Sequence, residues 1–477
     1  MSKLNRDVLY SIFEKLKDDK KALYSCLTVN RTWCKIIIPI FWKDPWKQLY
    51  TREAMKLSSL FDVIISHLSD ESRKNISGKF LKNYKKPLFD YISFCKNLNL
   101  SELKRIMNVA IDSNLQDDDD DYLFYKGEIY KLFINNKTKF TQLYLPREFS
   151  DQIHLIPGAK ECFSEIEFLN FYGDVNGEIL IGLSEICKSI KRLEFFVTIN
   201  ANSGIIKLID AQKRLKEVYI DFVNDNESIH KSLENSLIRH EKNIEYFKLK
   251  NRSMTNILSY FKNLKILEMV DIGQITSWNQ LTVVSLPILQ ILHARNVPIN
   301  VITSLIEKTN GHLNEIRIDF VGHDIINNKR LIQAIYQNCP NLNYLELLIM
   351  NSNISEFEKL LIKCKYLDGL FIITYNINWV DLFKILTRSS PSSLYKFKFY
   401  FSMAPNSESL RFFFDNWKGR HPMLLHTVPA TICDSDYIDI NMINEYKTKG
   451  IIKIYDEDIS GDTYEDFEWI RKKIQKN

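Results

Sequence analysis

The sequence predicts an α/β fold in which short parallel strands alternate with helices over most of the chain, behind a small helical module at its start. Three observations predict it. A frame of the form L-x-x-L-x-L, with other apolar residues allowed at each L, recurs eleven times from Phe140 onward. The segments between frames carry apolar residues at spacings of three and four, the pattern of a helix with one buried face. The first 46 residues hold three short stretches with the same helical pattern.

In the opening module, Val8 and Ile12, and Leu9, Phe13 and Leu16, fall on one side of a first helix. Asp18 or Asp19 can cap a second helix holding Leu23, Cys26 and Leu27. Asn30 can cap a third, which carries Trp33, Ile36 and Ile37 and is expected to end at Pro39. Three short helices bury too little apolar surface among themselves to be comfortably stable, which leaves surface for a partner or the following domain to cover.

The run Leu4-Asn5-Arg6-Asp7-Val8-Leu9, with Ile12-Phe13, Leu16, Leu23, Cys26 and Val29-Asn30-Arg31-Thr32-Trp33, resembles an F-box. The resemblance implies docking on a Skp-type adaptor and, through it, on the cullin and RING subunits of an SCF ubiquitin ligase. The residues it implies for adaptor binding are Leu4, Val8, Leu9, Ile12, Phe13, Leu16, Leu23, Cys26, Val29 and Trp33. Asn5 stands where the family usually has proline, so a preset backbone angle is lost there. The same stripe also fits the plain core of a helical cap.

The frames read Phe140-Leu143-Leu145, Phe163-Ile166-Phe168, Ile190-Leu193-Phe195, Leu215-Val218-Ile220, Ile244-Phe247-Leu249 and Leu264-Leu267-Met269. They continue as Leu289-Leu292-Ala294, Leu313-Ile316-Ile318, Leu342-Leu345-Leu347, Leu367-Leu370-Ile372 and Leu394-Phe397-Phe399, at intervals of 20 to 29 residues. Those are leucine-rich-repeat lengths, and the expected architecture is a solenoid with a curved parallel sheet. Helices are expected at 203–212, 228–239, 299–308, 329–338, 354–363 and 379–386. Cys187, Cys339 and Cys364 each stand three residues before a frame, which predicts a small buried side chain at the end of each helix.

Four regions follow: 1–46, the F-box-like module; 47–135, a helical connector and cap; 136–422, the repeat solenoid; and 423–477, a C-terminal cap with strand-like stretches at 423–428 and 451–455. The connector is expected to be helical at 50–68, 87–97, 100–111 and 122–133, with the carboxylate run Asp117 to Asp121 as a solvated loop. The arrangement is similar to that of the expanded F-box families of fungi.

The 64 basic and 59 acidic groups are spread along the chain, so no nucleic-acid footprint and no membrane partner is expected. Asn5, Arg6 and Asp7 interrupt any secretory signal, which predicts an intracellular protein, cytoplasmic or nuclear, with its eight cysteines reduced. No H-E-x-x-H, Cys-His nucleophile pattern, G-x-S-x-G or phosphate-cradling loop occurs, so no enzyme activity, cofactor or metal is expected.

Residues two, four and six places into each frame should face away from the helices. Of these, Tyr219, Tyr246, His293, Arg295, Arg317, Tyr344, Phe371, Ile373, Lys396, Lys398 and Tyr400 are the candidates for binding a protein substrate of unknown identity. Tyr344, Phe371, Ile373 and Tyr400 would form an apolar patch beside basic groups, suited to a segment with apolar anchors and acidic neighbours. The alternative is that they only cover the sheet. The expected function is the substrate-recognition subunit of an SCF-type ligase; a non-degradative repeat scaffold or inhibitor is the alternative.

Overall fold

The computed structural model describes residues 4–17, 19–48, 54–75, 86–110, 120–223, 227–251, 255–271, 278–319, 324–430 and 438–457. The chain divides into two compact units, Met1–Asn243 and Ile244–Asn477.

The first unit opens with three helices, α1 (Arg6–Lys15), α2 (Lys20–Leu27) and α3 (Arg31–Trp42). Each start is capped by a side-chain oxygen: Asn5 accepts from the Asp7 N–H, Asp19 from Ala22 and Asn30 from Trp33. Asn5 thus caps the entry of the first helix with its side-chain oxygen. Contrary to expectation, α3 does not stop at Pro39 but runs through it to Trp42. Ile36, Ile37 and Ile40 pack with Leu9, Phe13 and Leu23 in one core, and that burial offsets the backbone hydrogen bond the proline removes.

In the connector the expected helices form at Ala54–Ile65, Leu100–Ala110 and Asp120–Phe133. The stretch expected to be helical at 87–97 holds only a short 3-10 turn, Ile92–Phe94, and then a strand, β1 (Asn97–Asn99). Of the Asp117 to Asp121 run, Asp117, Asp118 and Asp119 lie outside the described residues, and Asp120 begins a helix. Strands β2 (Gln142–Tyr144), β3 (Phe168–Tyr172), β4 (Arg192–Val197) and β5 (Glu217–Phe222) follow, each parallel to the one before.

The second unit holds β6 (Tyr246–Lys250), β7 (Ile266–Val270), β8 (Ile291–Arg295), β9 (Glu315–Asp319), β10 (Tyr344–Leu348), β11 (Gly369–Thr374), β12 (Lys396–Phe401), β13 (Met423–Pro429) and β14 (Ile452–Glu457). These too pair in parallel, each with the next. Within each unit the described strands lie in chain order, each laid beside the one before, as in a solenoid of stacked repeats.

The apolar frame residues point into the layer between strands and helices, where they are buried in every repeat. One frame was misphased. Leu169 and Phe171, not Ile166 and Phe168, stand level with Leu193 and Phe195 of the next strand, so the second frame is Ile166-Leu169-Phe171. Phe168 therefore faces the other side, where the Arg192 guanidinium lies over its ring. Near the end of the second unit the core is aromatic: Phe383 stacks on Phe413 at 4.6 Å, and Trp417 meets Phe397 edge-on at 5.2 Å.

Cys187, Cys339 and Cys364 are the C-cap residues of helices Gly177–Ile186, Ile325–Asn338 and Ile354–Lys363, and all three are buried. Burial pushes the Cys187 and Cys364 thiols up to about 12, and it raises Cys339 as well. Among the described residues no helix is long and apolar enough to cross a membrane.

Candidate functional site: helical module and strand face

Two surfaces carry the residues singled out by sequence. On the opening module, Leu9, Phe13 and Leu23 are buried in the core, and Leu16, Cys26 and Trp33 pack against it. The Phe13 and Trp33 rings meet edge-on at 5.1 Å. Leu9, Phe13 and Leu23 are the module's own interior, and side chains already desolvated inside the fold offer little more surface to a partner, which corrects their assignment as contact residues; Leu16, Cys26 and Trp33 are only partly buried. Leu4, Val8, Ile12 and Val29 behave differently, standing 57%, 45%, 41% and 56% exposed. Val8 and Ile12 are four residues apart and lie on one side of α1, and Leu4 stands just before the helix and its Asn5 cap.

The second surface is the strand face turned away from the helices. In the second unit its central row, read from strand to strand by register, is Lys248, Glu268, His293, Arg317, Glu346, Phe371, Lys398, His426 and Asp456. Charges in this row are mated sideways. Lys248 Nζ lies 3.0 Å from Glu268 Oε2, and His293 Nδ1 lies 3.6 Å from Glu268 Oε1. His293 Nε2 is 2.8 Å from Glu315 Oε1, which also accepts from Arg317 Nε at 2.7 Å. With a carboxylate beside each ring nitrogen, the protonated form of His293 is favoured over the neutral one.

The titration behaviour follows from that geometry. Burial works against charge on Glu268, but His293 and Lys248 outweigh it and hold the carboxyl below its usual range. Burial likewise lowers His293, but Glu268 and Glu315 more than reverse this. Burial opposes ionisation of Glu315 too, and His293 and Arg317 overcome it. At Glu346 the balance tips the other way: burial, with Asp319 adding to it, pushes the carboxyl up to about 7.

The expected apolar patch is not open to solvent. Tyr344, Leu348, Phe371 and Ile373 form a buried cluster with Tyr400 packed against it, and Lys396 and Lys398 are buried as well. Large side chains in neighbouring rungs about 4.8 Å apart cover one another. The Arg317 guanidinium lies 5.0 Å from the Tyr344 ring centre, Lys398 Nζ lies 4.8 Å from that of Phe371, and Lys396 Nζ is 3.0 Å from Asp368. Arg317, Tyr344, Phe371, Ile373, Lys396 and Lys398 therefore serve as internal structure in the free chain, not as exposed anchors. Tyr219, Tyr246, His293, Arg295 and Tyr400 remain half-buried. Glu268, Glu315 and Glu346 were not selected by sequence. The signal that finds Glu268 and Glu346 is charge read down one column of the repeats; Glu315 lies in the adjoining column, two residues before Arg317.

A small module of three capped helices, followed by parallel strands whose frame residues are buried against the helices, defines an α/β fold with the strand-and-helix alternation expected of a leucine-rich-repeat solenoid. No protein-family model matches the chain, and no curated protein matches it. Among solved structures the chain is similar to the leucine-rich repeat-containing protein LegL7 from Legionella pneumophila, at 13% identity and a TM-score of 0.29, covering 55% of this chain and 83% of that one.

Proposed function

We propose that the chain is a substrate-recognition subunit of an SCF-type ubiquitin ligase. Its opening module docks a Skp-type adaptor, and its repeat strands receive a protein target. The observation that carries this reading is the division of the first helix: Leu9 and Phe13 close the module's core while Val8 and Ile12 stay exposed along one side, with Leu4 exposed just before the helix. A helix that exposes a second apolar side after completing its core has surface left for a partner. Such a subunit needs no catalytic residues, because it acts by holding a target close to a charged enzyme carried by other subunits.

Target recognition falls on the half-buried groups of the strand face, Tyr219, Tyr246, Arg295 and Tyr400, since aromatic and arginine side chains contribute most to protein interfaces. The test is reconstitution: the full chain mixed with a purified Skp-type adaptor should elute as a complex on size exclusion. Separate elution at micromolar concentrations rejects the docking role and leaves a repeat scaffold.

A further inference from the structure

One edge of the first unit carries positive charge that its own carboxylates do not mate. The loops entering β4 and β5, residues 187–191 and 211–216, hold Lys188, Lys191, Lys213, Arg214 and Lys216. Lys191 meets Glu167 at 2.6 Å. Lys188, Lys213 and Arg214 are exposed, and no hydrogen bond or ion pair joins their side chains to any described residue. The two loops are nevertheless fixed side by side. The Lys216 N–H donates to the Lys191 carbonyl at 2.8 Å, and the buried Gln212 amide donates to the Cys187 carbonyl at 2.9 Å and accepts from the Ile190 N–H at 3.1 Å. Like charges are thus kept on neighbouring rungs, about 4.8 Å apart, by hydrogen bonds that use none of the charged groups. The repeat itself does not call for cations there. In the second unit Gln290, Asn314 and Asn343 hold the position of Lys191, each carbonyl accepting the same two N–H groups from the next rung. A helix end favours a nearby cation, and Lys188 and Lys213 follow the helices Gly177–Ile186 and Gly204–Asp210. That accounts for one charge in each loop and leaves Arg214 and Lys216 without such a reason.

We propose that this edge is an interaction surface for an acidic protein segment, one rich in Asp and Glu. Carboxylates laid along it relieve the repulsion among the cations and accept charge-assisted hydrogen bonds from the Arg214 guanidinium. A nucleic acid fits less well, because the two loops contain no aromatic side chain on which bases could stack. Exposed pairs of this kind set the encounter rate and the choice of partner more than the final affinity, so the edge recruits the segment and other contacts hold its protein. The proposal does not depend on whether the opening module docks an adaptor.

The test is fluorescence anisotropy of a labelled peptide of about ten glutamates, titrated with the full chain at about 50 mM salt, where screening is weak. Two triple variants of equal charge change decide it. One carries Lys188→Glu, Lys213→Glu and Arg214→Glu on the edge; the other carries Lys363→Glu, Lys365→Glu and Lys453→Glu at exposed positions elsewhere. The edge variant should bind about tenfold more weakly or worse, while the other stays close to the wild type, whose own binding should weaken as salt rises. Equal loss in both variants means that only overall charge is read, and it overturns the site, as does a wild type that does not bind. A uridine oligomer of the same length bound as tightly as the glutamate peptide overturns the assignment to a protein segment. Thermal unfolding first checks that each variant folds. Should the edge reversal fail there, the milder Lys188→Gln, Lys213→Gln, Arg214→Gln variant decides instead: it should lose binding in the same sense, and unchanged binding overturns the proposal.

Discussion

The ring of Tyr344 occupies the space that a side chain at Gly369 would need: a Cβ there would lie 2.6 Å from Tyr344 Cδ2. The two residues face each other in register on neighbouring strands β10 and β11. The glycine thus lets a large ring lie flat in the strand face, where it is buried and carries the Arg317 guanidinium.

Gly369→Ala should consequently destabilise the protein by about 1–3 kcal/mol, as overpacking of a closed core does. Pairing it with Tyr344→Leu should recover part of that loss. Urea denaturation of both single variants and the double variant reads this directly: additive losses would mean that the ring and the glycine do not share the space.

The three C-cap cysteines should stay silent to a thiol reagent in the native protein and react on denaturation. Only the thiolate attacks, and burial raises all three thiols, Cys187 and Cys364 up to about 12. Labelling at about pH 8, near the ordinary cysteine value, followed by peptide mapping, checks each site. Prompt native labelling of Cys339 or Cys364 would contradict their place at the helix ends.

Much of this fold was legible because the frame residues obey a rule local to one strand. Leu342, Leu345 and Leu347 are spaced to point at the helices whatever their neighbours do. The second frame misled because Phe163 and Phe168 also satisfy the spacing, and only pairing with β4 tells Phe168 from Leu169. Strand β1 has a single apolar residue, Leu98, between two asparagines, too little for any pattern to register. Burial of Tyr344, Phe371 and Lys398 was hidden for a different reason. It depends on side chains of neighbouring repeats meeting across rungs, and no single strand contains that information.

The Glu268, His293 and Glu315 cluster makes a pH-dependent contribution whose direction can be worked out. His293 is raised above 6.5, so its contribution is complete below that value and is lost as pH rises through the higher folded-state value. Glu268 and Glu315 lie below 4.5, so theirs is present above that value and fades as pH falls. The cluster is strongest between the two. His293→Gln, which leaves buried Glu315 and half-buried Glu268 short of a cation, should cost about 3–5 kcal/mol near pH 6 and less above about pH 9. A loss that is the same at both values would mean that His293 is not held as the imidazolium.

The division of α1 predicts that neighbouring substitutions fail in different ways. Ile12 is exposed and Leu9 is buried, although both are apolar and three residues apart. Leu9→Ala should lower stability by about 2–5 kcal/mol, the range for a large-to-small change in a core. Ile12→Asp should leave the unfolding midpoint almost unmoved, because an exposed charge loses no hydration. If Ile12 is an adaptor anchor, the same charge buried in the complex without a partner should weaken capture by at least about 2 kcal/mol, roughly thirtyfold or more. Val8→Asp should act in the same sense, and added salt should restore neither, since the defect is desolvation and not a long-range field. Adaptor titrations on variants first checked by thermal unfolding separate the two effects. Full adaptor affinity in both Val8→Asp and Ile12→Asp would move the docking surface off this side of α1.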